Sequence, residues 1–101
     1  LHLAQVILAK NLGKVQIWMT LRGAEVAHKE KSAAIRSTIF ASAGSAAEIV
    51  ADLAAKGVTF HLCPPCATAA GAKGAAKHDV VVEAGGDWLL AQLPGAQVLW
   101  F

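Results

Sequence analysis

Two cysteines separated by two prolines are the residues of this sequence best suited to chemical reaction: Cys63-Pro64-Pro65-Cys66. The apolar run 57–62 before it is typical of a buried strand, and the small residues 67–70 after it favour the start of a helix. Proline is tolerated in the first turn of a helix, where its missing N–H has no partner to lose. We therefore expect Cys63 directly before a helix N-terminus, a position that favours a thiolate over a thiol. Cys66 would then lie in the first turn, where packing hides its sulfur.

The same spacing leaves several kinds of chemistry open. A CxxC pair at a helix start serves thiol–disulfide exchange in thioredoxin-like or peroxiredoxin-like redox proteins. It also supplies two ligands of a structural zinc site, with His61, His78 or residues of a partner as the others. The non-functional alternative is a pair of buried, inert cysteines. Two features weaken the thioredoxin interpretation: the motif follows at least two strands, and Pro94 sits at a helix end instead of opening a strand.

Composition limits the function classes. A chain of 101 residues fits one domain, residues 1–101. Its net charge of +2, without a Lys/Arg cluster interleaved with aromatics, gives no reason to expect nucleic acid as a partner. It is 55% hydrophobic but has no apolar run of 18 residues, so we expect no membrane span. Two cysteines in one motif, with no visible signal peptide, favour the cytoplasm.

Helices and strands are predicted to alternate along the chain. The predicted strands are 15–20, 58–62, 79–83 and 97–101, and the predicted helices are 1–12, 24–29, 45–56 and 88–93, with charged residues 29–32 as a break and 35–43 left between helix and loop. Strands that are apolar throughout indicate a parallel sheet covered on both faces, a three-layer α/β/α architecture with four visible strands. Because the chain opens directly on a helix, we expect one further strand before it, which would make five.

In such sheets, ligands bind beyond the carboxyl ends of the strands. Three predicted loops, 20–23, 63–66 and 83–86, leave those ends. Arg22 could hold an anion or orient a thiolate, and Gly23 and Gly85 are candidate binding turns. Several other residues fit packing or solvated surface better than catalysis: Glu25, Glu83, His61, His78, Trp18, Trp88 and Trp100. No Walker loop, GxGxxG, GxSxG or HExxH occurs, so the sequence supports neither a nucleotide-binding nor a hydrolase function. We expect no cofactor and no metal-binding residues.

The cysteine block 57–67, followed by Gly71, resembles that of the DsrE/DsrF-like sulfur-relay family, in which a strand ends in a cysteine and a small-residue helix follows. The turn Leu21-Arg22-Gly23-Ala24 after a helix beginning near Leu3-Ala4 resembles its glycine turn. The segment 85–90 and the terminal strand resemble its last helix–strand unit. The chain departs from the family at Ala70-Gly71, where an Arg-Gly pair is common.

The resemblance covers most of the chain and implies a flavodoxin-like outline with trimeric or hexameric assembly. It implies that sulfur is carried as a persulfide on Cys63, by the distance to Gly71. Cys66 has no fixed counterpart in the family and could resolve a persulfide or close a disulfide with Cys63. The implied partners are sulfur donor and acceptor proteins. Apolar residues at 80–82 and 99–101 agree with a homo-oligomer in which Cys63 lies near a subunit boundary.

Overall fold

The computed structural model describes residues 1–38 and 41–99. Within these residues, three strands form a parallel sheet: β1 (Gln16–Met19), β2 (Thr59–Leu62) and β3 (Val81–Glu83). They lie side by side in the order β1-β2-β3. The α-helices of the described residues are α1 (His2–Ala9), α2 (Lys29–Ala34), α3 (Ala46–Ala55), α4 (Pro64–Ala70) and α5 (Gly86–Gln92). Short 3-10 helices occupy Leu21–Ala27, Ala41–Ala43 and Gly74–Ala76.

The predicted α/β class and the parallel direction of the strands are confirmed. Ile17 of β1 pairs with Phe60 of β2, and Phe60 pairs with Val81 of β3. Since the three strands run in one direction, their carboxyl ends lie at the same edge of the sheet. The loop that carries the two cysteines is therefore next to the loops that follow β1 and β3.

One face of the sheet carries the core. Along β2, Phe60 and Leu62 are buried while Thr59 is exposed and His61 half-buried. This alternation differs from the continuous burial that the sequence suggests, and it turns every second residue away from the core. The core side chains come from α1, α3, α4, the 3-10 helix Leu21–Ala27, the strands, and the loop residues just before β2 and just after α4: Ala4, Met19, Ala24, Ala27, Ile49, Val50, Leu53, Val58, Phe60, Leu62, Ala67, Ala70, Ala72 and Val81.

The opposite face is only partly covered in the described residues. Trp18, His61 and Val82 share a register row on it, and Val82 is 58% exposed. Trp88 of α5 stacks on the His61 ring with the ring centroids 3.7 Å apart, and the Trp18 indole Nε1 donates to the carbonyl of Ala84. One stacked ring pair and one indole hydrogen bond do not make a helical layer, so the described residues do not show the predicted third layer. Their sheet has three strands where four are predicted.

The predicted strand at 97–101 is not seen where the structure describes it. Residues 97–99 belong to no strand, and Val98 and Leu99 are 43% and 52% exposed. Trp100 and Phe101 lie outside the described residues. A strand needs a neighbour for its backbone groups, and the turn at Pro94-Gly95 does not bring 97–99 beside the sheet.

Helix α3 is predicted well, and α5 less so. Ser45 is the N-cap of α3, because its hydroxyl accepts from the Glu48 N–H at 3.2 Å. Helix α5 begins two residues before the predicted 88, with Gly85 as the N-cap and Asp87 in its first turn. There the carboxylate still favours the helix through its dipole.

The segment around His28 differs from the prediction. The predicted helix 24–29 is the 3-10 helix Leu21–Ala27, and the predicted charged break at 29–32 is part of α2. The cause is the His28 ring, whose Nδ1 accepts from the backbone N–H groups of Glu30 and Lys31. A histidine ring thus satisfies donors at a helix start that usually depend on Ser, Thr, Asp or Asn.

Candidate functional site

The two cysteines lie at the carboxyl edge of the sheet, as predicted. The Cys63 N–H donates to the Met19 carbonyl at 2.9 Å, which extends the pairing of β1 and β2 by one residue. Cys63 is the N-cap of α4, and the two prolines open that helix. The helix ends at Gly71, whose φ of +69° lies in the left-handed region that favours glycine. The local strand–cysteine–helix arrangement is therefore confirmed.

Hydrogen bonds to sulfur converge on Cys66. Its Sγ lies 3.4 Å from the Thr20 hydroxyl oxygen and accepts from the Leu21 backbone N–H at 3.0 Å. The Thr20 hydroxyl, the Leu21 N–H and the Cys63 side chain, in that order of importance, lower the pKa of the Cys66 thiol. Hydrogen bonds to the charged form stabilise it, so these contacts favour a thiolate at Cys66.

This distribution differs from the sequence prediction, which expects the favoured thiolate at Cys63. Both cysteines are free and half-buried, so burial does not separate them. Cys66 packs its body against the core and still receives two donors from the end of β1. Helix α4, which follows Cys63, has only seven residues, and the Cys63 side chain makes no capping hydrogen bond to it.

The sequence indicates the loop 20–23 at this edge of the sheet but does not single out Thr20 and Leu21 as partners of the sulfur. They lie 46 and 45 residues from Cys66 in the chain. The available signal was position alone: Thr20 directly follows a strand that a parallel sheet places beside the strand ending at Cys63. A hydroxyl at such an end is a candidate partner for the sulfur.

The other predicted binding positions are further from the sulfur chemistry. Arg22 and Gly23 are exposed in the 3-10 helix Leu21–Ala27, and within the described chain no hydrogen bond or ion pair joins Arg22 to either cysteine. Gly85 lies at the same sheet edge, because the N–H of Ala84 beside it donates to the Leu62 carbonyl at 2.9 Å. Its role in the structure is the N-cap of α5.

Glu83 and His78, which the sequence predicts as surface or packing residues, have structural partners. Glu83 forms an ion pair with Lys73 at 3.0 Å. The His78 Nε2 lies 2.7 Å from the Ser32 hydroxyl oxygen, and burial lowers the pKa of His78. Burial also lowers the pKa of His61, whose Nδ1 has no hydrogen-bond partner in the described chain.

Neither a metal cluster nor a membrane-spanning helix is found in residues 1–38 and 41–99. No three His, Cys, Asp or Glu side chains there come together in a way that would hold a metal ion. No helix of that part combines the length and apolar character needed to cross a bilayer. The structural zinc interpretation of the two cysteines therefore lacks a ligand set in the described chain.

Comparison of the chain with protein-family models, with curated proteins and with solved structures finds no significant match.

Proposed function

We propose that this chain is a sulfur-relay protein that carries sulfane sulfur as a persulfide on Cys63 and uses Cys66 as the resolving thiolate. The observation that carries the proposal is the pair of hydrogen bonds on the Cys66 Sγ, with the Thr20 hydroxyl and the Leu21 N–H, beside a second free thiol. An inert structural cysteine needs no such hydrogen bonds. A resolving cysteine does, because the thiolate is the reactive form.

The chemistry needs three exchanges at one edge of the sheet. In loading, the Cys63 thiolate attacks the terminal sulfur of a donor persulfide, and the donor thiolate leaves. In delivery, an acceptor thiolate attacks the outer sulfur of the Cys63 persulfide, and the Cys63 thiolate leaves. In resolution, the Cys66 thiolate attacks the inner sulfur, hydrosulfide leaves, and a Cys63–Cys66 disulfide remains, which two electrons from external thiols reduce.

The division of roles follows from thiol reactivity. A thiol of lowered pKa is more ionised at neutral pH, but each thiolate is intrinsically a weaker nucleophile. Intramolecular attack compensates for that weakness, because the neighbouring sulfur is always present at high effective concentration. Cys66 is therefore suited to attack Cys63, and Cys63 to meet external donors.

Partners and assembly belong to the same proposal. The partners are sulfur donor and acceptor proteins, and the compartment is the reducing cytoplasm, where two free thiols persist. Homo-oligomerisation, as a trimer or hexamer, would cover exposed apolar residues such as Val80, Val82 and Leu99. In this proposal the three strands are part of a larger flavodoxin-like sheet with helices on both faces.

Thiol–disulfide redox activity is the second candidate, because the same two free thiols would support it. The two functions differ in the Cys66→Ser variant. A relay protein keeps and accumulates the persulfide on Cys63 when the resolving thiol is removed. A redox protein has no stable sulfur adduct and loses its disulfide.

The test is intact-protein and peptide mass spectrometry after the reduced protein is incubated with polysulfide. We expect one added sulfur atom at Cys63 or a Cys63–Cys66 disulfide in the wild type, no adduct in Cys63→Ser, and a longer-lived adduct in Cys66→Ser. A disulfide in the wild type without any adduct in Cys66→Ser would favour the redox function. Two unreactive cysteines at neutral pH would refute both.

A further inference from the structure

Leu21 has an unusual backbone for its residue type. Its φ is +51°, and among the residues that the structure describes, Asn11 is the other non-glycine with a positive φ. Asparagine tolerates this left-handed region, whereas the Cβ of leucine crowds the following carbonyl there. The Leu21 side chain is 78% exposed, so burial does not compensate for the strain.

The chain on both sides of Leu21 is held in place. Before it, Thr20 is extended at the end of β1, with φ −141° and ψ 165°. After it, the 3-10 helix anchors itself through Ala24 and Ala27, which are fully buried. A left-handed residue joins these two fixed segments, and in that conformation the Leu21 N–H is 3.0 Å from the Cys66 Sγ.

We propose that Leu21 is a positioning residue for the Cys66 thiolate and that it acts through its left-handed backbone, not through its side chain. Backbone strain that persists in a folded protein concentrates at functional sites. Here the strained peptide supplies one of the donors on the sulfur. The inference rests on the proposed function only where it takes the Cys66 thiolate to be the resolving nucleophile.

The test separates backbone from side chain with two substitutions that act in opposite ways. Leu21→Ile keeps every atom type and the apolar volume but branches at Cβ, which makes the left-handed region far less accessible. Leu21→Gly removes the whole side chain and adopts that region freely. A role in the side chain would be kept by isoleucine and lost by glycine, and a role in the backbone gives the reverse.

The measurement is the rate at which iodoacetamide alkylates Cys66 as a function of pH. Both variants are made in a Cys63→Ser background, because the serine hydroxyl can still donate to the Cys66 Sγ. We expect Leu21→Ile to move the titration midpoint to higher pH and to slow alkylation at neutral pH roughly threefold to tenfold, as loss of one hydrogen bond to a thiolate would. We expect Leu21→Gly to keep the parent profile and to raise the thermal midpoint, because the strain is removed.

Two outcomes would overturn the inference: unchanged profiles in both variants, or a slower reaction in Leu21→Gly with Leu21→Ile unaffected. Circular dichroism checks the folding of both variants, and Leu21→Gly remains informative if Leu21→Ile unfolds. No sulfur donor is present in this assay. If Leu21→Ile slows alkylation and Leu21→Gly does not, the positioning role of Leu21 is supported even when polysulfide adds no sulfur to the protein. If polysulfide does add sulfur but the two variants have the same alkylation profile, the proposed function stands and the role of Leu21 is rejected.

Discussion

The segment 20–34 contacts the later part of the chain at two junctions that differ in almost every physical respect. At the sulfur junction, the Leu21 N–H donates to the Cys66 Sγ, and the Thr20 hydroxyl forms a hydrogen bond with the same sulfur. At the histidine junction, Ser32 meets the ring of His78. Both join residues about 46 positions apart, yet the first is strained and partly exposed while the second is buried around Ser32.

The histidine junction is built from satisfied polar groups. The fully buried Ser32 donates its hydroxyl to the Lys29 carbonyl at 3.1 Å and therefore accepts from His78 Nε2. The His78 N–H donates to the Ala27 carbonyl at 2.9 Å, and a β-bridge joins His28 to Lys77. Such a junction contributes stability, because each buried polar group has a partner.

The hydrogen bonds at the sulfur junction are of a different kind. Its acceptor is a thiol whose charge state changes with pH, and one donor belongs to a residue in an unfavourable conformation. The comparison predicts a separation: changes at the histidine junction alter the free energy of unfolding, and changes at the sulfur junction alter the reactivity of Cys66.

Ser32→Ala gives the largest expected effect on stability. Removing the hydroxyl of the buried Ser32 leaves the Nε2 of the half-buried His78 without its partner and should lower the free energy of unfolding by about 1–3 kcal/mol, measured by urea denaturation. The matched control is Ser42→Ala at an exposed serine, with an expected change within about 0.5 kcal/mol. A similar loss in both variants, or a shifted alkylation profile of Cys66 in Ser32→Ala, would break the comparison.

Thr20→Val tests the other junction. It removes the hydroxyl that contributes most to the lowered pKa of Cys66 and nearly preserves the shape of the side chain. We expect alkylation of Cys66 at neutral pH to slow by roughly tenfold, with the midpoint moved to higher pH and little change in the urea midpoint. Thr20→Ser keeps a hydroxyl and should retain the parent profile, so equal slowing in both would point to packing as the cause.

The pH dependence of stability should show the smallest of these effects. Burial, with Lys29 next in importance, lowers the pKa of His78 below its usual 6.5 in the folded state, against the opposing charge of Asp79 and with help from His28 and Lys77. The unfolded chain then binds more protons as the pH falls below about 6.5, so the contribution is fully present above that value and is lost toward acid.

His78→Gln removes the titration and keeps a side-chain donor for Ser32. Its stability should fall less steeply than that of the wild type between neutral pH and pH 5, as measured by thermal denaturation. His61, whose pKa is lowered by burial in the same direction, should keep part of the slope in this variant. An unchanged slope in His78→Gln would remove His78 as a source of the pH dependence.

The sequence predicts the local elements around the cysteines well. A strand ending at Leu62, a proline-opened helix and the capped helix α3 all depend on residues within a few positions of each other. Their patterns are therefore visible in the sequence alone. The common edge of the strands also follows, since parallel strands share it.

What the sequence does not predict depends on contacts between distant segments. Helix α2 starts where the ring of His28 caps it, and the donors on Cys66 come from the end of another strand. The partly covered face of the sheet is also not predictable from the sequence. The apolar residues of β2 do not indicate which face of the sheet a further layer covers. Residues 97–99 have strand-forming types but no pairing partner in the described chain.

The most direct test of the account is the order in which the two cysteines of the wild type are alkylated as the pH is raised. The reduced protein is pulsed with a limiting amount of iodoacetamide at each pH, and peptide mapping reports each site. The account predicts that Cys66 is modified from a lower pH than Cys63, because Thr20 and Leu21 stabilise its thiolate. Modification of Cys63 from a lower pH than Cys66 would contradict it and return the favoured thiolate to the helix start.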